Sequence, residues 1–176
     1  MLKGKLCSVR HLLTADLNTF IALVNDLPSR GDYFSSHFKS PETLRKEFAQ
    51  TSFVTEDSEL FVIEDQHHHI IGVITHFKSR TPITREIGYR LFDATLAGQG
   101  YVSEACQLLV DYLFKTQTYH RLELLMAPEN LASVRIAQKC GFQAEGIMRE
   151  SFFINGHYQS VQLFALLRPE WQATRR

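Results

Sequence analysis

Sulfur is scarce in this chain: three cysteines, Cys7, Cys106 and Cys140, odd in number and far apart in 176 residues. They form no Cys-x-x-Cys pair, so spacing supports neither a disulfide framework nor a thiolate zinc site, and a reducing, cytoplasmic setting is expected. Long apolar runs are missing as well. No stretch nears the roughly 20 residues that span a bilayer, and Met1-Leu2-Lys3-Gly4-Lys5-Leu6-Cys7 lacks the apolar block of a secretory signal, so no membrane partner is expected. Excess charge of either sign is absent too. Lys+Arg number 19 and Asp+Glu 19, which speaks against a general basic face for nucleic acid. There is no internal repeat, low-complexity tract or linker. What is present is a globular composition, 44% hydrophobic and 22% charged, at a length that suits one domain over residues 1–176.

Patterning then orders the elements. Lys5 to Arg10 alternates like a short strand. Leu17, Phe20, Ile21 and Val24 keep helical spacing behind Thr14 as a candidate N-cap. Ser40-Pro41-Glu42-Thr43 reads as a second helix start. Leu60-Phe61-Val62-Ile63 and Ile70-Ile71-Gly72-Val73-Ile74 are strand formers around a polar turn, and Arg85 to Leu91 is a third strand. Val102, Ala105, Leu109 and Tyr112 share a helix face. Leu122 to Met126 is another strand, and a helix follows from Pro128-Glu129-Asn130 to a terminal Gly141. Phe152 to Ile154 and Val161 to Leu167 flank Asn155-Gly156, the strongest short hairpin signal. Arg168-Pro169-Glu170 ends the sheet. The order is β-α-α-β-β-β-α-β-α-β-β, an α/β sandwich.

Within that order, Leu96-Ala97-Gly98-Gln99-Gly100-Tyr101-Val102 places two glycines after a strand and before a helix N-terminus. N–H groups there lack intrahelical carbonyls and face a favourable dipole for anions. Glycine admits a phosphate without a Cβ in the way. A plain strand-to-helix turn is the alternative reading.

Gly98-Gln99-Gly100-Tyr101 followed by Ser103-Glu104-Ala105 resembles the acetyl-CoA pyrophosphate loop of the GNAT superfamily of N-acetyltransferases. Glu86-Ile87-Gly88-Tyr89 is similar to its central strand. Asn130-Leu131-Ala132-Ser133 and Lys139-Cys140-Gly141-Phe142, with Glu145-Gly146, resemble its second cofactor-binding segment. The resemblance covers about Arg85 to Leu167 and, within the superfamily, is nearest to the Rim-type ribosomal-protein N-terminal acetyltransferases. It implies an α/β fold with a mixed, mostly antiparallel central sheet, splayed at the cofactor site and flanked by helices. Departures stand at Ala97 and Val102 in the loop, at Ala137 where many members carry a tyrosine acid, and at Ser160 where related chains often carry Asp.

The resemblance implies acetyl transfer from acetyl-CoA, without a metal, to a primary amine by direct attack. The acceptor is expected to be the α-amine of a protein or peptide-like molecule, with a polyamine or amino-antibiotic as the rival and a non-catalytic acetyl-CoA-binding domain as another. Gly98, Gln99, Gly100, Tyr101, Val102 and Ser103 would cradle the pyrophosphate. Leu91 and Phe92 would align the pantetheine arm through main-chain bonds. Asn130 is either an N-cap or a pantetheine contact. Ser133 is either an ordinary first-turn residue or the donor to the leaving thiolate.

Glu86, a carboxylate inside an apolar strand, wants a reason. It either pairs with Arg85 or Arg90, or faces solvent, or acts as general base. Tyr33, Phe34 and Phe38 are an aromatic cluster between the first two helices, packed in the core or facing the acceptor. His67, His68 and His69 are expected to be solvated turn residues, since neighbours on a strand point to opposite faces. A monomer or homodimer is expected.

Overall fold

In the computed structural model, which describes residues 1–175, the first alternating segment becomes β2 (Cys7–His11), behind a two-residue β1 (Leu2–Lys3) that its sequence does not announce. Cys7 and Val9 point inward from β2 and are buried. The first helix starts later than Thr14. Residues Thr14–Asp16 form a 3-10 turn, with the Asp16 carboxylate accepting the Leu13 N–H at 2.9 Å, and α1 runs Leu17–Asn25. The second start is as expected: Ser40 Oγ accepts the Thr43 N–H at 3.3 Å, Pro41 is the first helical residue, and α2 runs Pro41–Thr51.

β3 (Ser58–Asp65), β4 (Ile70–Lys78) and β5 (Thr84–Leu91) form an antiparallel meander. Then come α3 (Tyr101–Thr116), β6 (Arg121–Met126), α4 (Leu131–Lys139), β7 (Gln143–Ile154) and β8 (His157–Leu167). α5 (Arg168–Ala173) follows where the sequence pattern stops, docked by a 2.8 Å bond from the Trp171 indole N–H to Asp111 on α3.

The eight strands make one sheet in the order β1-β2-β3-β4-β5-β6-β8-β7. Every pairing is antiparallel except β5 with β6, which is parallel and lasts for three rungs: Thr84 with Arg121, Arg85 with Leu122, Glu86 with Glu123. Past that point each strand keeps only its outer neighbour, β4 for β5 and β8 for β6. The sheet therefore opens into a gap that begins at Glu86.

Helices cover the two faces separately. Ile74, Ile87, Cys106, Leu109 and Leu113 belong to the core under α3 and α4, and Phe20, Ile21, Leu44 and Val62 to the core under α1 and α2. Strand alternation along β5 thus sends Ile87 and Tyr89 to the α3 side and Glu86, Gly88 and Arg90 to the α1 side. β7 is much longer than Phe152 to Ile154. Nearly all of it is exposed, so it has no apolar alternation to read. Asn155 and Gly156 take φ of 51° and 87°, the paired positive values of a tight hairpin turn.

Candidate active site

Glu86 sits half-buried at the last rung before the gap, directly opposite Glu123. Neither arginine beside it in sequence pairs with it. Arg85 donates to the Glu56 carbonyl at 3.0 Å and lies over the Tyr119 ring, while Arg90 turns to the end of α1. Burial, then the facing Glu123 charge, push the Glu86 carboxyl up to about 7, with Arg80 opposing.

Glu123 has the contrary environment. It accepts from Arg121 Nε at 2.6 Å, Arg80 Nη2 at 2.7 Å and Ser79 Oγ at 2.8 Å. Burial opposes its ionisation, but these donors outweigh burial and hold it below the usual carboxylate range. Two neighbouring carboxylates whose environments separate their pKa values form an acid–base arrangement. Glu123 is a residue that sequence reading missed. Its signal was a carboxylate inside Leu122-Glu123-Leu124, the same anomaly as Glu86.

The gap beyond Glu86 is a cavity of about 170 Å³ lined by Glu86, Tyr89, Asn130 and Ser133, with Tyr33 and Phe34 on the α1–α2 side. Asn130 caps α4, its Oδ1 accepting the Ser133 N–H at 3.1 Å. The Tyr89 hydroxyl, mostly buried behind the cavity, donates to the Ser133 carbonyl oxygen at 3.5 Å. Burial raises its pKa, so it stays protonated. Tyr89 as a hydroxyl donor is a second residue that sequence reading missed. Ala137, at the position where the resemblance places a tyrosine acid in many members, is fully buried in the core.

The hairpin tip closes the cavity from above. Asn155 Oδ1 accepts the Ser36 N–H at 3.0 Å, and its Nδ2 donates to the Phe34 carbonyl at 3.2 Å. A larger concavity, about 950 Å³, opens between the N-terminal segment, α3 and α5. It contains no group like Glu86, and a shifted carboxylate in a cleft is a stronger mark of chemistry than volume.

The glycine loop fits a phosphate. Gly98 and Gly100 take φ of 79° and 97°, and a Cβ at Gly98 would meet nothing within 4 Å, so the loop face is open. Gly100 is the N-cap of α3 and residues 101–103 are its first residues, and the N–H groups of all four have no intrahelical carbonyl. Glu104, an acid in the first turn of α3, has a specific set of partners. Its carboxylate accepts the N–H groups of Lys5, Leu6 and Cys7 at 2.8, 2.7 and 2.9 Å, which pins the N-terminal segment beside this loop.

Two expectations change. The Phe92 N–H is taken by the Ile71 carbonyl at 2.8 Å. Alternation then leaves the N–H groups of Leu91 and Tyr89 facing the gap, so a main-chain donor is available at Leu91, whereas the Phe92 N–H is already used. Tyr33, Phe34 and Phe38 are all exposed rather than core, and Phe38, at 67% exposure, is not part of the cavity wall. The histidines 67–69 lie in the β3–β4 turn, with His68 Nδ1 2.5 Å from Glu64. The thiols of Cys7 and Cys106 are buried, which suits neither to nucleophilic work. Cys106 is fully buried, and its pKa is raised by the Cys140 thiol and by burial.

Residues 8–143 match the acetyltransferase (GNAT) domain family. The chain is 33% identical to the probable N-acetyltransferase YjcK of Bacillus subtilis (strain 168), over 97% of this chain and 98% of that one. It is 35% identical to the ribosomal-protein-serine acetyltransferase of Escherichia coli (strain K12), over 54% of each chain. The crystal structure of spermidine N-acetyltransferase from Vibrio cholerae, in complex with CoA and spermine, superposes with a TM-score of 0.81 at 24% identity. That match covers 96% of this chain and 99% of the other, a likeness of fold.

Proposed function

This chain belongs to the GNAT acetyltransferase family and is an acetyl-CoA-dependent N-acetyltransferase, and from that premise we propose that its acceptor is the α-amine of a protein or peptide-like molecule. The observation that carries this reading is Glu86: a carboxylate without a hydrogen-bond partner among the described residues, pushed up to about 7 at the mouth of the gap. An α-amine has a reference pKa near ~8, and an alkylamine such as lysine near ~10.4. At pH 7 the former is already partly neutral, and the latter is neutral in only about one molecule in 2,500. A base of this strength is matched to the first task.

Acetyl-CoA supplies the acetyl thioester. The N–H groups of residues 100–103, beside the open Gly98, hold its pyrophosphate. The N–H of Leu91 faces the gap and serves the main-chain alignment and the developing oxyanion. As the acceptor nitrogen forms its bond to the acetyl carbon, the C–S bond breaks. The amine proton goes to Glu86, and the departing sulfur takes a proton through the Ser133 hydroxyl, which is reprotonated from solvent while Glu86 returns its proton to solvent. No enzyme thiol takes part, since Cys7 is pushed up to about 12, chiefly by burial, and Cys106 is raised as well.

A second reading, a polyamine acceptor, draws on the fold likeness to the Vibrio cholerae enzyme. One assay separates the two: mass-resolved acetylation of an N-terminal peptide library beside spermidine and spermine, with free thiol as the readout. Turnover of peptides across varied first residues is expected. Inert peptides with active polyamines would reverse the assignment.

A further inference from the structure

Arg30 and Arg90 are two guanidinium groups held at the end of α1, with no carboxylate among the described residues bonded to either. Arg30 is only 9% exposed. Its Nη1 donates to the carbonyls of Ser35 and His37 at 2.5 and 2.6 Å, and its Nη2 to Val24 at 2.6 Å. Arg90 Nη1 donates to the same Val24 carbonyl at 3.2 Å, and its Nη2 to the Asp26 carbonyl at 3.1 Å and Ser29 Oγ at 2.6 Å. The Nε of each is buried without a partner. Arg10, Arg80 and Arg121 each meet a carboxylate within 2.7 Å; Arg85 and Arg168 are met by carbonyls as this pair is, but neither lines the cavity that this pair shares.

Carbonyls at a helix C-terminus compensate part of a positive charge, but two like charges taken from water together remain costly without an anion. Burial, and then the nearness of Arg30, lower the Arg90 pKa, with Asp26 opposing. Both arginines line a cavity of about 390 Å³ between α1, α2 and strands β4 and β5, where Lys39 adds a third cation and Glu47 is the one carboxylate of the wall. Phe34 borders this cavity and the Glu86 cavity alike.

We propose that this cationic cavity is a carboxylate subsite that selects acceptors bearing an acidic group on the second or third residue from the amine. The reach follows from β5. Glu86 and Arg90 stand four residues apart on one face, about 13 Å along the strand, and the arginine side chain shortens that span. An extended peptide advances about 3.3–3.6 Å per residue, so a Glu or Asp side chain two or three residues in reaches the cavity when the amine is at Glu86. A polyamine would bring cations to a wall already in positive excess. The inference rests on the α-amine reading and specifies its acceptor.

The test uses the intact protein and peptides that share a first residue and carry Glu, Gln or Lys at position two or three. Wild type is expected to favour Glu over Gln in kcat/KM by about tenfold, the scale of one charge-assisted contact, and to place Lys below Gln. Because Arg30 and Arg90 also hold the end of α1, the informative variants are Lys39→Gln and Lys39→Glu. The Lys39 backbone, not its side chain, meets Asn25. The first should shrink the Glu-to-Gln ratio and the second should erase or invert it. Equal turnover of all three peptides by wild type overturns the subsite and leaves the α-amine reading intact. Spermidine exceeding every peptide overturns both.

Discussion

Glu86 and Glu123 face each other across the last rung of β5 and β6, and only Glu123 is met by arginines. That asymmetry makes one carboxylate a fixed anion and the other a group that titrates near neutrality. The sheet's single parallel pairing also ends at this rung, so the titrating group opens on a gap rather than on another strand.

The first prediction concerns the acid limb of kcat/KM, which reports ionisations of free enzyme and free substrate. Productive encounter needs an ionised Glu86 and a neutral α-amine. The limb should bend first at the amine, near ~8, and steepen toward a slope of two below the Glu86 value of about 7. Glu86→Gln should leave a slope of one, with its loss relative to wild type largest above about pH 7, where Glu86 is ionised, and shrinking as pH falls. An unchanged, steep limb in the variant would take the base role from Glu86.

Stability should report the same group with the opposite sense. A carboxylate whose folded pKa is raised stabilises the fold fully below its unfolded value, near 4.5, and loses that contribution as pH rises through about 7. Glu86→Gln should therefore have a higher Tm than wild type at pH 8 and nearly the same Tm at pH 4.5. Thermal melts at the two pH values, without ligand, measure it. A variant less stable at pH 8 would mean that Glu86 has an ion pair in solution.

The phosphate cradle is best tested at Gly98. At Gly100 a Cβ would come within 3.2 Å of Leu6, mixing a packing effect with a charge effect, whereas Gly98 has open space. Asp tolerates the left-handed backbone there better than most residues. Gly98→Asp is expected to fold, to keep its Tm within a few degrees, and to lose at least about tenfold in acetyl-CoA affinity by calorimetry, from one repulsive charge near the phosphates. Undiminished binding would remove the loop from the cofactor site.

The sheet and helix order was legible because the core strands β3, β4, β5 and β8 carry apolar patterns and the turns carry their own chemistry. Asn155-Gly156 and Ser40-Pro41 both do what their residue types favour. β7 was not legible beyond its last residues because its side chains are exposed on both faces. Glu86 could be singled out as a charge in an apolar strand. Its meaning depended on Arg80 and Arg121, which bond Glu123 and leave Glu86 unpaired, a choice set by the β5–β6 pairing and not by spacing in the sequence. Glu104 and Asn155 gave no signal because their partners lie about a hundred residues away, in backbone N–H and carbonyl groups that no side-chain pattern encodes.

The last prediction separates two hydroxyls near the departing sulfur. Ser133 lines the gap, and its backbone carbonyl accepts from Tyr89. If Ser133 donates the proton, Ser133→Ala should lower kcat by about tenfold to a thousandfold while acetyl-CoA still binds, because the Asn130 cap uses the Ser133 backbone and not its hydroxyl. Tyr89→Phe removes only a 3.5 Å bond to that carbonyl and keeps the ring's packing, so its effect on kcat should be the smaller one. The reverse order of effects would assign the proton to Tyr89, whose hydroxyl stays protonated through the working range. In either case direct attack of the amine on the bound thioester is the expected route. A trapped acetyl-cysteine on the enzyme together with ping-pong kinetics would contradict that route, and the raised thiol pKa values of Cys7 and Cys106 argue that none forms.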